Sequence, residues 1–275
     1  MYDLLLAPFE PPYMQRALIE VAMLAVLGGV LGTWIVLRRL AFYTHAVGTA
    51  AFPGLVVAGP WGVPPQLAAL VCGLGLAGGV ERLVRTRRVD QDAATGLMLV
   101  GALAVGVILA SDVYGSGAGV DRLLFGSLIG LSDTDLWLTG AVAAVAVGAA
   151  AALRRSWTAA GFDPGSARAL GVRAALGDWV LLALVAVAAV AALDAVGALL
   201  VAAILVVPAA TVRLVANSLT GLQAGAVALA AAEGVTALWL ARRLDVGPGP
   251  AMAMTGGAVF ALAALARARV GSGRP

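Results

Sequence analysis

Hydrophobic positions along this chain fall into nine runs, separated by short stretches that hold most of the arginines, acidic residues and prolines. A helix that crosses the hydrocarbon core of a bilayer needs about 20 mainly apolar residues, and most of the runs approach that length. The pattern therefore predicts an all-α bundle of about eight or nine transmembrane helices. The predicted spans are 17–37, 46–60, 65–84, 93–111, 133–153, 175–194, 196–212, 219–240 and 249–266.

Two of these runs differ from simple spans. The second and the seventh are the shortest, and they contain Pro53 and Pro208. Proline removes a backbone donor, and irregular backbone at membrane depth is tolerated only where protein or a cavity surrounds it. We therefore expect these two segments to be broken or tilted and to line something.

Three pairs of glycines have the four-residue spacing that lets two helix backbones approach closely in lipid. The alternative for any one pair is chance, because the chain contains 35 glycines. The pairs are Gly28 and Gly32, Gly75 and Gly79, and Gly126 and Gly130.

Composition supports a membrane protein, since 61% of the 275 residues are hydrophobic and only 12% are charged. The N-terminus has acidic residues and prolines where a signal peptide would be basic, so we expect no cleaved targeting segment. The one cysteine, Cys72, cannot form an internal disulfide. With no long-period repeat and no linker, residues 1–275 are expected to form a single transmembrane domain.

The arginines predict the orientation, because cytoplasmic loops carry the excess of basic residues. Nine crossings with the C-terminus inside place fourteen arginines on the inner side and four on the outer side. If the second run turns back instead of crossing, the N-terminal half is inverted. The inner set is Arg38, Arg39, Arg82, Arg85, Arg87, Arg88, Arg154, Arg155, Arg168, Arg173, Arg213, Arg267, Arg269 and Arg274, and the outer set is Arg16, Arg122, Arg242 and Arg243.

All 18 basic residues are arginine, so the chain has no lysine for a phosphate-binding loop or a Schiff base. It also lacks a nucleophile elbow and a His-Glu-x-x-His helix. An enzyme with its own ATP site is therefore excluded.

Between the fifth and sixth spans, the stretch "GFDPGSARALGV" predicts a short cytoplasmic helix at about 162–172. Asp163 can cap it, Pro164 suits its first turn, and Gly171 can end it. It either docks into a groove on a soluble partner or is an ordinary linker helix at the membrane surface. The residues that would take part in docking are Asp163, Pro164, Ala167, Arg168, Leu170 and Gly171.

Six stretches, in this order, resemble the permease subunits of the ABC transporters for divalent transition metals, which move zinc, manganese or ferrous iron. The likeness covers nearly the whole chain. The stretches are "FEPPYMQRALIEVAMLAVLGGVLGTWIVLRRLAF", "QDAATGLMLVGALAVGVIL", "LLFGSLIGLSDTDL", "GFDPGSARALGV", "ALDAVGALLVAAILVVPAATVRLVANSL" and "LDVGPGPAMAMTGGAVF".

The resemblance implies a permease of the type II ABC importer class in the cytoplasmic (inner) membrane of a prokaryote. Its expected partners are two cytoplasmic ATPase subunits, a second permease copy and an extracytoplasmic metal-binding protein, and no nucleic acid. Residues 162–172 would then be the coupling helix. The chain would catalyse no covalent chemistry and hold no permanent cofactor, while a metal ion passes by alternating access.

The same resemblance singles out His45 and Thr49. Related chains commonly carry an aspartate and, four residues later, a histidine as metal contacts, and here those positions hold His45 and Thr49. Positions four apart share a helix face, and imidazole suits zinc, so zinc is the first expectation, with manganese or iron next. Alternatively, His45 hydrogen-bonds a backbone carbonyl and the pathway has no fixed ligand.

Two acidic residues could complete a pathway, because ionisable groups inside a membrane are costly to bury. Asp194 precedes the seventh run, and Glu233 lies deep in the eighth. Their ordinary alternatives are an interfacial residue for Asp194 and a hydrogen-bonded structural carboxyl for Glu233. Asp112 and Asp121 could contact a binding protein at the outer side, or lie in solvated loops.

Two other functions stay open at this point. One is a permease for a chelated metal or a cobalamin-type substrate, which would need a wider pathway with few ligands. The other is a permease-like scaffold that holds partners without transport. Metal-dependent stimulation of a partner ATPase separates transport from scaffolding.

Overall fold

The computed structural model describes residues 9–86, 89–113, 125–127, 130–162, 174–198 and 200–271, which form helices and no strands. A π-helical turn, Leu109–Val113, continues the fifth helix. The helices are α1 (Pro12–Leu37), α2 (Ala41–Ala50), α3 (Phe52–Trp61), α4 (Pro65–Arg85), α5 (Gln91–Ile108), α6 (Asp133–Phe162), α7 (Ala174–Val196), α8 (Val201–Arg213), α9 (Leu219–Leu244) and α10 (Pro248–Gly271).

Eight helical segments in the described part of the chain are long and apolar enough to cross a bilayer. Helices α2 and α3 together form one of them, Ala41–Trp61. Helix α8 has 13 residues and is the exception, since it extends only about 20 Å. The predicted all-α membrane bundle is confirmed.

Polar contacts bring one set of helix ends together. Arg16 Nη2 lies 3.0 Å from Asp133 Oδ1, which joins the start of α1 to the start of α6. Gln66 Nε2 donates to Asp194 Oδ2 at 3.0 Å, which joins the start of α4 to the end of α7. We call this the outer end of the bundle.

A second group of contacts defines the opposite end. Arg38 pairs with Asp178, so the end of α1 meets the start of α7. Arg154 Nη2 donates to Thr220 Oγ1 at 3.1 Å, so the last part of α6 meets the start of α9. Because this end carries most of the described arginines, we assign it to the cytoplasm and call it the inner end.

Helix α8 runs from the outer end to the inner end. A Cβ on Gly249, at the start of α10, would lie 3.0 Å from Leu200 Cδ1, just before α8. Arg213, at the other end of α8, lines a cavity of about 140 Å³ with Leu37 and Thr158. The described chain therefore traverses the bundle nine times, with its first helix starting outside and its last helix ending inside.

The two proline-containing segments have different outcomes, since the second is interrupted next to Pro53 whereas α8 continues through Pro208 as one helix. Pro53 lies in the first turn of α3, and Ala51 separates this helix from α2 while keeping a right-handed helical backbone. The second run crosses the bundle, so the alternative in which it turns back is wrong. Within α8, Pro208 cannot donate to the carbonyl of Ile204, which leaves that oxygen without its helical partner.

The glycine predictions have mixed outcomes. A Cβ on Gly28 would lie 2.8 Å from the carbonyl oxygen of Ile204, and one on Gly32 would overlap that of Leu205, so this pair admits the α8 backbone. The second pair is split, since a Cβ on Gly75 would have no neighbour within 4 Å, whereas one on Gly79 would overlap the side chain of Met98 on α5. Gly126 has φ of +72° outside a helix, so the prediction for the third pair is wrong.

A tight turn joins α1 to α2 and sets the direction of α2. Leu40 N–H donates to the carbonyl of Ile35 at 2.8 Å, and Arg39 N–H donates to that of Val36 at 3.3 Å. This pair of bonds is the Schellman pattern, which needs a left-handed residue between them, and Arg39 takes that conformation with φ of +57°. Helix α2 begins two residues later.

Apolar side chains cover much of the outside of the bundle. Leu97 and Val100 on α5, and Leu262 and Leu265 on α10, each expose more than half of their surface. Such surfaces are stable against lipid or another apolar surface and not against water.

Candidate functional site

His45 and Thr49 lie on one face of α2, as their spacing predicts, in the inner half of the bundle. Thr49 is buried, and its hydroxyl donates to the backbone carbonyl of His45 at 3.1 Å. The imidazole of His45 is half-buried and makes no hydrogen bond to any residue that the structure describes. No backbone carbonyl of the described residues therefore accepts a hydrogen bond from His45, as the alternative interpretation requires.

Asp194 lies at the outer end of the bundle, near the end of α7. Its carboxylate accepts a hydrogen bond from Gln66 Nε2 at 3.0 Å, and its backbone carbonyl accepts one from Ser127 N–H at 2.9 Å. The side chain is half-buried. This position matches the interfacial alternative.

Glu233 is buried on α9, where it faces α1, α8 and α10. It is 8% exposed, and its Oε1 has no hydrogen-bond partner among the described residues. The carboxyl lines a cavity of about 20 Å³ together with Val21, Ile204 and Met252. A cavity of this size has room for about one water molecule, and Glu233 is the charged side chain that lines it.

The four predicted metal contacts therefore occupy separate places. His45 and Thr49 share α2, Asp194 lies at the outer end, and Glu233 faces a small cavity. Among the described residues, no group of three or more histidine, cysteine, aspartate and glutamate side chains could hold a metal ion. A single chain in this conformation does not form a closed metal site from them.

The prediction passed over Glu20, which is one of the most buried charged residues in the described part of the chain. It lies on α1 and is 1% exposed. Its Oε1 accepts a hydrogen bond from the hydroxyl of Thr139 at 2.9 Å, and its Oε2 has no partner. The signal was present in the sequence, since an acidic residue inside the first apolar run is costly to bury.

Glu20 belongs to a polar network in the outer half of the bundle. Gln66 Nε2 lies 3.0 Å from Asp194 Oδ2 and 3.5 Å from Asp135 Oδ1, so one amide bridges α7 and α6. Thr139, one turn below Asp135, also approaches the carbonyl of Ala191 at 3.4 Å. Acidic groups from α1, α6 and α7 thus gather near the outer end, where they favour the approach of cations.

Several predicted residues lie outside the described part of the chain. They are Asp163, Pro164, Ala167, Arg168, Leu170 and Gly171 of the predicted short cytoplasmic helix, together with Asp121. Asp112 lies in the π-helical turn, and its side chain is not described. The helix ends on both sides of this predicted helix are described, and both lie at the inner end.

Comparison with known proteins decides the family. A model of the ABC 3 transport family matches residues 10–267. The chain belongs to this family. The likeness inferred from the six stretches is confirmed, and this ABC 3 family chain is a multi-pass permease of the bacterial membrane.

Individual relatives match over most of the chain. The chain is 30% identical to "Manganese transport system membrane protein MntC" of Halalkalibacterium halodurans, over 91% of this chain and 86% of that one. It is 28% identical to "Chelated iron transport system membrane protein YfeD" of Yersinia pestis, over 96% and 88%. The solved structure "PsaBC from Streptococcus pneumoniae in complex with Fab" matches with a TM-score of 0.85 and 26% identity, over 96% and 95%.

Proposed function

We propose that this chain is the membrane-spanning subunit of an ATP-driven importer for a divalent transition metal ion, with manganese as the first candidate and iron as the second. The observation that carries the proposal is the family match over residues 10–267, together with relatives named for manganese and iron transport. The expectation of zinc is not confirmed, because these names do not include it.

The ligand chemistry agrees with manganese as the first candidate metal. Manganese prefers carboxylate, carbonyl and water oxygens, and the described polar groups inside the bundle are mainly oxygen donors. Glu20, Asp135 and Asp194 would attract the ion at the outer end, and His45 would contact it nearer the cytoplasm. The contact is expected to be weak, since a transported ion must also leave.

A second copy of the chain would complete the pathway. His45 is half-buried and has no side-chain hydrogen bond to the described residues, so one chain supplies a single nitrogen ligand on α2. A two-fold axis beside α2 would bring in an equivalent set from the partner. Glu233 and Thr49 are then supporting groups of the core, and Asp194 belongs to the entrance.

Two further partners belong to the proposal, an ATPase subunit and an extracytoplasmic metal-binding protein. Because it contains no lysine, a separate ATPase subunit would hydrolyse ATP, and residues 162–172 would dock into that subunit at the inner end. An extracytoplasmic metal-binding protein would deliver the ion at the outer end, where Asp112 and Asp121 are candidate contacts. No cofactor is needed, since the metal is the cargo.

The test is manganese uptake into proteoliposomes that contain the chain with its ATPase and binding protein, comparing His45→Ala with Thr49→Val. Because even outer-shell partners of metal ligands change affinity by roughly 10–100-fold, His45→Ala should lower uptake by at least about tenfold. Thr49→Val should keep most of the uptake, since the hydroxyl bonds only to its own helix. If His45→Ala keeps as much manganese uptake as Thr49→Val, with assembly intact, His45 is structural.

The same assay separates the two other functions. A permease for a chelated metal would accumulate the chelate and leave free manganese outside. A scaffold would bind the ATPase and show no metal-dependent stimulation of ATP hydrolysis.

A further inference from the structure

An ion pair at the inner end joins two helices that are far apart in the sequence. Arg38 caps the end of α1, Asp178 lies in the second turn of α7, and Arg38 Nη2 contacts Asp178 Oδ1. The two side chains are 17% and 40% exposed, so the pair is partly removed from water. Partial burial makes the attraction stronger and less sensitive to salt than that of a surface pair.

A second cross-link lies one turn deeper. The hydroxyl of Tyr43, on the first turn of α2, donates to the backbone carbonyl of Leu182 at 3.3 Å. Asp178 and Leu182 are four residues apart on α7 and therefore share one face of that helix. The α1–α2 junction is thus fastened to the first turns of α7 at two successive levels.

The start of α7 is also locked to the end of α6. The indole N–H of Trp157 donates to the carbonyl of Gly177 at 2.8 Å, and a Cβ on Gly177 would lie 2.9 Å from Ser156 Oγ. Arg38 touches this side too, since a Cβ on Gly161 would lie 3.3 Å from Arg38 Cδ. The two helix ends that flank residues 163–173 therefore both lie against Arg38.

Only a short, well-defined turn separates Arg38 from the helix that carries His45. Arg38 caps α1, Arg39 and Leu40 complete the turn, and α2 begins at Ala41, four residues before His45. The two backbone hydrogen bonds of this turn hold the start of α2 in fixed relation to the end of α1. A displacement of Arg38 is therefore passed to α2.

Apolar packing between these parts is incomplete on one side. A cavity of about 390 Å³ lies beside the pair, lined by Arg38, Tyr43, Val84, Asp178 and Leu182 among others. The residues of both cross-links line this cavity, so the space beside them is not filled by neighbouring side chains.

We propose that the Arg38–Asp178 ion pair, with the Tyr43–Leu182 hydrogen bond, transmits movement of the 163–173 segment to α2 and so couples ATP hydrolysis to the pathway around His45. This inference rests on the proposed function, in which 162–172 docks on the ATPase. Arg38 and Asp178 act as positioning residues and make no contact with the metal.

The experiment compares Arg38→Glu, Asp178→Arg and the double swap in the complex with the ATPase and the binding protein. Each single change places like charges in contact, so manganese transported per ATP hydrolysed should fall by about tenfold. Basal ATP hydrolysis and assembly should persist, since the ATPase contacts are untouched. The double swap should restore coupling to within about threefold of the parent.

The chain offers a matched control. Arg16 and Asp133 form another arginine–aspartate pair, 3.0 Å apart at the outer end, and their side chains are 48% and 73% exposed. The same single and double swaps there should leave transport per ATP unchanged, because an exposed pair contributes little and lies away from residues 163–173. Tyr43→Phe should reduce coupling by about twofold, since it removes one weak hydrogen bond.

The outcomes are distinguishable. Coupling that survives Arg38→Glu, or a double swap that assembles and stays uncoupled, would overturn the inference. If Arg38→Glu fails to assemble, Asp178→Asn removes the pair while keeping the shape of the side chain, and unchanged coupling in that variant would overturn it equally. A parent complex without metal uptake would instead overturn the proposed function.

Discussion

At the scale of single residues, Glu20 shows best how burial and chemistry compete. A carboxyl group removed from water costs free energy unless hydrogen bonds replace the lost solvent. Thr139 supplies one such bond, and the second oxygen, Oε2, has no partner among the described residues. Glu20 is therefore held at a cost to stability, as is common for ionisable groups with a function inside a membrane.

Substitutions at Glu20 test this account. Glu20→Ala leaves the hydroxyl of Thr139 with only its 3.4 Å contact to the carbonyl of Ala191 and opens a cavity, so the free energy of unfolding should fall by about 2–4 kcal/mol. Glu20→Gln keeps the acceptor and the volume, so it should stay within about 1 kcal/mol of the parent. Thermal unfolding in detergent measures both. Equal loss in the two variants would show that the charge, and not the hydrogen bond, is what the site needs.

Sequence patterns predicted some site residues and missed others for physical reasons. The shared face of His45 and Thr49 follows from helix periodicity, and the interfacial place of Asp194 follows from the end of an apolar run. The pairing of Glu20 with Thr139 joins positions 119 residues apart, and no local pattern encodes such a contact. The local bond from Thr49 to the carbonyl of His45 also weakens the hydroxyl as a dedicated ligand.

At the scale of helices, the spans were predictable because each bilayer crossing demands a run of apolar residues. The sequence did not predict which glycines meet a neighbouring helix, since spacing alone does not say which face of a helix is covered. Gly32 admits the backbone of α8, whereas Gly75 has open space beside it. Both have the same spacing to a second glycine in the sequence.

Adding one methyl group at each position separates these cases. Gly32→Ala would force α1 away from the carbonyl of Leu205, and overpacking of this kind costs about 1–3 kcal/mol. Gly75→Ala should be neutral or stabilising by up to about 1 kcal/mol, since alanine is the better helix former. Unfolding midpoints of the two variants in the same detergent check the prediction. A stable Gly32→Ala protein would mean that α1 and α8 are not held together at this point.

At the scale of the whole molecule, the nine traverses and the distribution of arginines agree on the orientation. The second run crosses the bundle, α8 crosses as a short helix, and the arginine-rich end is the inner one. Hydropathy and charge predicted nine crossings, because both respond directly to the bilayer, but they left open whether the second run turns back, which the structure decides. The assembly around the chain is not encoded in such simple patterns.

Labelling of single cysteines checks the orientation. In a Cys72→Ala background, a cysteine at Trp61, at the end of α3, should react with a membrane-impermeant maleimide added outside intact cells. A cysteine at Asn217, between α8 and α9, should react only after the membrane is opened. The reverse pattern, or reaction of both from one side, would contradict nine traverses with the C-terminal helix ending inside.

The central claim is ATP-driven passage of a divalent metal through this chain, and accumulation of radioactive manganese in proteoliposomes with the ATPase and the binding protein measures it most directly. We expect accumulation that needs ATP, competition by ferrous iron, and weaker competition by zinc. Absence of manganese accumulation in a complex that assembles and hydrolyses ATP would contradict the account.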